Sequence, residues 1–359
     1  MQVKILEDKK AVAKALVGAG WFSEPGAYFL VDGQFGSSGK GLLAAVLARF
    51  GLGKIDMFTA NAGPNSGHTA LIGEHKIMTQ QLPVGVAVHS HYGEITTAYM
   101  NAGAIIVPDL LKSEINQYYC PHVIVHPCAA VVLPRHVEAE TSNGAARVAG
   151  TGKGTGAALA DKVNREGNLA KHHLSGVRID DINLSKMRHS IVMVEASQGF
   201  SLGINEARFA PHTTSRECTV LQAASDARLP MSMRRNVAMA LRTWPIRVGS
   251  TPMGSSGDFY PDQSETSWSE LGVTPELTTV TKRVRRVFTW SDIQFEEALL
   301  VNEPDTLFIN FLNYLEEGQR EPFVAHLISK YKSVLGKEPL AVLGGFGPNI
   351  NDVRACEWG

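Results

Sequence analysis

Apolar and polar positions follow two periods along this chain. Short runs rich in β-branched residues, "YFLVDG" from Tyr28, "GAIIV" from Gly103, "HVIVH" from His122, "SIVMVE" from Ser190, "TLFIN" from Thr306 and "PLAVLGG" from Pro339, read as strands apolar on both sides. Amphipathic stretches with helical spacing follow them, as in "PDLLKSEINQ" and "FLNYLEEG". Strand runs that end in glycine-bearing loops and lead into helices predict an α/β fold with a mostly parallel central sheet flanked by helices. Ligands on such sheets sit at the carboxyl ends of the strands. Residues 1–26 show a helical pattern, with Val12, Leu16 and Val17 on one side and Lys9, Lys10 and Lys14 largely on the other, ended by "GAGW" and Pro25. They are expected to form a helical extension packed on one large domain, residues 27–359. The most polar segment, "GSSGDFYPDQSETSWSELG" (254–272), predicts a surface excursion.

Composition narrows the classes. A chain of 359 residues with 44% apolar content can bury a large core. With 34 basic and 35 acidic side chains, nothing in the total charge points to nucleic acid or an anionic membrane as partner, so any anion site is local. Four scattered cysteines (Cys120, Cys128, Cys218, Cys356), no signal-peptide pattern and no apolar run of spanning length predict a soluble protein of a reducing cytoplasm.

The stretch "VDGQFGSSGKG" carries the strongest chemical signal. Gly33, Gly36, Gly39 and Gly41 allow backbone N–H groups to converge on phosphate oxygens, the helix start adds partial positive charge, and Lys40 neutralises more. It is not the ordinary Walker loop, which has glycine where Gln34 stands and Ser or Thr where Gly41 stands. "NAGPNSGHT" places His68 on a polar glycine loop, suited to proton or charge transfer. "GTGKGTG", running into a helix with Asp161, Lys162 and Arg165, is a second glycine loop and suggests a second phosphate-bearing ligand. Gln198, just past a strand, can read a base edge with one donor and one acceptor. The run "TTVTKRVRR" has alternating arginines that suit a dicarboxylate. "CPHVIVHPC" is a decoy: as a strand it would hold His122 and His126 roughly 13 Å apart, too far to share one ion.

Taken in order, "GQFGSSGKG", "NSGHT", "GTGKGTG…DKVNREG", "EASQG", "TTS", "RVG", "TVTKRVRR" and "GGFGPN" resemble the adenylosuccinate synthetase family over residues 28–353. Members phosphorylate the 6-oxygen of a purine monophosphate and let the aspartate amine displace that phosphate. The resemblance implies a single P-loop-like α/β domain, a homodimer, and magnesium as cofactor. It assigns Gly36, Ser38, Gly39, Lys40, Gly41, Leu42, Gly67, Thr69, Arg285, Asn313, Gly345, Phe346, Gly347 and Pro348 to the triphosphate donor. Ser37, Asn65, Ser66, Thr151, Gly152, Gln198, Thr214, Val248 and Arg283 fall to the purine monophosphate, together with Arg165 contributed by a partner subunit. Thr279, Val280, Thr281, Lys282, Arg283 and Arg285 form the aspartate loop, Ser37 and Gly67 hold magnesium, and Ser37, Lys40, His68 and Gln198 are the catalytic set.

Three departures from the family pattern refine this. Ser37 replaces the aspartate that takes the purine N1 proton; a hydroxyl cannot be that base, but its smaller size suits guanine's exocyclic amine. Asn313, ending "INFLN", replaces an aspartate that reads the guanine of GTP, and an amide that both donates and accepts matches adenine. Lys153 replaces an arginine and keeps only the charge. The combination resembles the family's phage branch, which joins dGMP to L-aspartate using ATP, with dATP as a possible substitute. The residues leave open an ordinary synthetase using IMP and GTP, and a nucleotide binder that has lost catalysis.

Overall fold

The computed structural model describes residues 1–359 except 52–53, 143–147, 149, 253 and 279–281. Among the described residues the main sheet has eleven strands. From one edge to the other they are Val3–Ile5, Val353–Trp358, Ala341–Gly345, Thr306–Asn310, Arg235–Arg242, Gly26–Asp32, Ile191–Glu195, Met57–Ala60, Thr97–Met100, Val123–Val125 and Arg178–Ile179. Val353–Trp358 runs antiparallel to both its neighbours, and every pair from Ala341–Gly345 onward is parallel. The fold is therefore the α/β architecture that the strand–loop–helix rhythm predicts.

Alternation in "AYFLV" explains why Gly26–Asp32 lies at the centre. All seven of its residues are buried. Tyr28 and Leu30 enter one core with the helices Lys9–Gly18, Lys40–Phe50 and Val84–His91. Ala27, Phe29 and Val31 enter the opposite core with Val220–Asp226, Asp292–Asn302 and Glu317–Leu335. A strand that must be apolar on both faces is what a sheet covered on both sides demands.

The structure corrects two expectations about the periphery. Residues 1–26 are more than a helix, because Val3–Ile5 pairs with Val353–Trp358 and extends the main sheet. Its helix, Lys9–Gly18, is capped by the Asp8 carboxylate, and it buries Val12 and Leu16 while Val17 is 41% exposed. Positions four apart share a face and the next residue turns about 100° away, which is why Val17 leaves the core side. Segment 254–272 stays largely at the surface but is more than an excursion. It supplies Glu265–Thr266 to a three-stranded antiparallel sheet with Ile246–Arg247 and Arg286–Phe288, and it buries Tyr260 and Trp268. Its buried Gln263 is satisfied within the protein: the amide accepts from Tyr260 N (3.0 Å) and donates to the Thr289 carbonyl (2.9 Å). "HVIVH" contains the strand Val123–Val125, with His122 exposed and His126 buried. No helix among the described residues is long and apolar enough to cross a membrane.

Candidate active site

Loops that follow the central strands Gly26–Asp32, Ile191–Glu195 and Thr306–Asn310 line one cavity of about 540 Å³, with Asn310 itself on its wall. Its phosphate-type turn is built around a buried acid. The Asp32 carboxylate accepts from the N–H groups of Gln34 (3.0 Å), Gly36 (3.2 Å) and Ser38 (3.2 Å), from the Ser38 hydroxyl (3.1 Å) and from Lys40 Nζ (3.1 Å). Lys40 is buried and also donates to the Gln198 carbonyl at 2.7 Å. Its charge is matched by Asp32, so it belongs to the loop's frame as well as to the cavity wall. The helix Lys40–Phe50 starts at Gly39, which has φ +96°. At Gly41 an added Cβ would stand 2.5 Å from Thr69 N and 2.6 Å from Thr69 O, so only glycine lets the strand His68–Ile72 lie against this helix.

Ser37 has φ +57° and is exposed into the cavity, where its hydroxyl has no hydrogen-bond partner among the described residues. His68 lies on the opposite hairpin strand, and burial plus the Lys40 ammonium push its imidazole down to about 3. It is neutral at physiological pH. Gln198 holds a left-handed backbone (φ +69°), and its amide nitrogen is buried without a partner among the described residues. A buried donor left open is a place for a ligand acceptor.

Most sequence-expected positions converge on this wall. Gly36, Gly39, Leu42, Thr69, Asn313, Gly347 and Pro348 lie on it with Asn65, Ser66, Gly67, Thr151, Val248, Arg283 and Arg285. Arg283 reaches the carbonyls of Gly150 and Gly249, both at 3.4 Å, bringing the arginine run against the loops of Thr151 and Val248. Others lie off the wall. Ser38 is fully buried and turned inward onto Asp32 and Gln34. Gly345 ends a strand, and Phe346 turns its ring between the Arg354 and Arg320 guanidiniums. Gly152, Thr214 and Lys282 do not line the cavity, and Arg165 is exposed at the end of the helix Thr155–Asn164. Thr279, Val280 and Thr281 lie outside the described residues.

Sequence reasoning missed Asp32, Arg242, Glu276, Phe311 and Tyr314. An acid closing an apolar strand immediately before a glycine turn was the available signal for Asp32. Glu276 is the one carboxylate on the wall among the described residues, and both its oxygens are engaged by Arg242 at 3.2 and 2.5 Å. It does not stand in as a free acid for the one absent at position 37.

Comparison with known proteins decides the lineage. The adenylosuccinate synthetase family model matches residues 29–182 and 177–321. The chain belongs to the adenylosuccinate synthetase family. Within that family it is similar to the N6-succino-2-amino-2'-deoxyadenylate synthase of Salmonella phage PMBT28, 36% identical over 91% of this chain and 96% of that protein. The enzyme of the same name from Vibrio phage phiVC8 is 34% identical over 91% of this chain and 97% of that protein. A solved structure of the cyanophage S-2L succinoaminodeoxyadenylate synthetase (PurZ), bound to dGMP and to dATP as an energy donor, superposes with a TM-score of 0.80. It is 30% identical and covers 92% of this chain and 95% of that one. The adenylosuccinate synthetase fold thus extends over nearly the whole chain.

Proposed function

We propose that this protein is a ligase that joins dGMP to L-aspartate at the expense of ATP, yielding 2-amino-2'-deoxyadenylosuccinate, ADP and phosphate. The observation that carries the reading is Ser37, a small unpartnered hydroxyl on the cavity wall where the resemblance expects a carboxylate. The phage synthases named above, similar along nearly the whole chain, and the neighbour bound to dGMP and dATP support the choice of substrate and admit dATP as donor.

The γ-phosphoryl group passes to the guanine O6, the base loses its N1 proton, and the aspartate amine then attacks C6 and expels phosphate. The N–H groups of the turn and helix start that Asp32 does not occupy, together with Lys40, hold the triphosphate, while Asp32 keeps that turn in shape. Neutral His68 offers an N–H to the oxygen that gains charge, and the open Gln198 amide donates beside it. Arg283 and Arg285 clamp the aspartate carboxylates with planar forks. Asn313 reads the donor's adenine, and Ser37 accepts from guanine's amine.

Magnesium belongs to the same reading. Asp32 is saturated by its five donors, whereas Ser37 and Gly67 offer a hydroxyl and a carbonyl oxygen, the few hard ligands suited to a cation that relies on waters and substrate phosphates. When bound it would neutralise charge on the transferring phosphoryl group. The reading also includes a homodimer in which exposed Arg165 serves the neighbouring subunit's monophosphate site.

The test offers dGMP, GMP, dAMP or IMP against ATP, dATP or GTP with aspartate and magnesium, following phosphate release and the mass of the succinyl product. The dGMP–ATP pair is expected to lead. Turnover confined to IMP and GTP, or no product from any pair, would overturn the reading.

A further inference from the structure

Two guanidiniums and one carboxylate meet where three loops of the cavity join, and only one guanidinium is matched. Arg242 is fully buried at the end of its strand. It donates from both terminal nitrogens to Glu276, from Nη1 to the Ser37 carbonyl (3.1 Å), and its guanidinium lies 4.0 Å over the Phe311 ring. Glu276 also accepts from the Tyr314 hydroxyl (3.2 Å), and its backbone carbonyl accepts from Arg285 N (2.9 Å). Arg285 is thus fastened through the main chain to the residue bearing the carboxylate. Yet among the described residues no carboxylate lies within ion-pair distance of its guanidinium, whose Nε reaches only the Leu277 carbonyl at 3.4 Å.

We propose that Arg242 is a positioning residue that occupies Glu276 and so keeps Arg285 open for the anionic group of the incoming substrate. A carboxylate in such a place must be paired, and of two competing guanidiniums the one with bidentate geometry wins. Arg285, partly buried and left beside a second positive charge, has burial and Arg242 pulling its pKa down to about 10 against the upward pull of Glu276. That unmatched charge is relieved when a substrate carboxylate arrives. The same strut holds Ser37 through its carbonyl and Phe311 through its ring, so one side chain sets the spacing of the purine, donor-base and aspartate loops. The inference rests on the reading in which Arg285 contacts aspartate.

The test uses the full-length protein with steady-state kinetics in aspartate, once wild-type turnover has been established. Failure of the wild type would refute the function and failure of the variants this inference alone. In Arg242→Gln, Glu276 is released to Arg285, and the KM for aspartate should rise at least about tenfold, more than kcat falls. In the double variant Arg242→Gln/Glu276→Gln, Arg285 has no competitor, and the KM should return to within about threefold of wild type although the double variant is no more stable. A double variant as impaired as Arg242→Gln, or an unchanged KM in Arg242→Gln, would overturn the proposal. Should Arg242→Gln fail to fold, Glu276→Gln decides: an unchanged or lowered KM for aspartate supports the inference, and a raised one refutes it.

Discussion

Replacing Asp32 by asparagine keeps the shape of the side chain under the phosphate-type turn and removes its charge. Three of the five donors, Gln34 N, Gly36 N and the Ser38 hydroxyl, point at Oδ1 and can keep an amide oxygen as acceptor. The other two, Ser38 N and Lys40 Nζ, point at Oδ2 and would meet an NH₂ group. An orphaned buried N–H costs about 1–3 kcal/mol, and breaking a buried ion pair costs about 3–5 kcal/mol. Lys40 keeps the Gln198 carbonyl, so the terms overlap and the expected loss is about 3–5 kcal/mol. Against a total stability of about 5–15 kcal/mol the variant still folds, with a markedly lower melting temperature. Thermal unfolding measures the loss, and titration with a nucleoside triphosphate should show weaker binding because Gly36 to Lys40 lose their anchor. A variant as stable as wild type would refute the account of Asp32 as the turn's keystone.

Ser37→Asp should leave stability within about 0.5 kcal/mol, since the site is exposed and aspartate tolerates left-handed backbone, yet it should cut kcat/KM for dGMP at least about tenfold. Unchanged or improved use of dGMP would count against the pocket assignment. His68 sits below its ordinary 6.5 at about 3, so its neutral form contributes stability above pH 6.5 that is lost as pH falls toward 3. In thermal scans between pH 7 and 4, His68→Asn should show an acid slope shallower than wild type by up to about one proton. Glu195 is buried and accepts from Val84 N and Gly85 N, both at 2.8 Å, and burial pushes it up to about 7 from 4.5. The folded state therefore holds a proton that the unfolded chain has released, and stability falls as pH rises from 4.5 to 7. Glu195→Gln should abolish that decline, and an unaltered pH profile would show that Glu195 does not cause it.

What could be read from the sequence was local. The strand, turn and helix of residues 27–50 are set by neighbours in the chain, so the turn and Lys40 at the helix start follow from spacing, while the place of Ser37 came only from the family resemblance. Which way Ser38 faces does not follow from spacing, because it depends on Asp32 and Gln34 folding back beneath it. Arg242 and Glu276 lie 34 positions apart and meet Ser37, 205 positions from Arg242, only once the sheet sets Arg235–Arg242 beside Gly26–Asp32. A terminal arginine on an apolar run gives no local sign of that meeting. Segment 254–272 was only partly legible for a related reason: the pairing of Glu265–Thr266 with Arg286–Phe288 and the Gln263–Thr289 contact join residues distant in the chain, which composition does not reveal.

The absent side chain at Gly41 limits which loop this fold can carry. Ordinary Walker loops carry a hydroxyl residue there to meet the metal, but in this molecule that space belongs to the main chain of Thr69, next door to His68. A mutation toward the commoner loop would wedge the histidine-bearing ribbon away from the helix. Sterics thus confine this chain to a loop with no hydroxyl at that position.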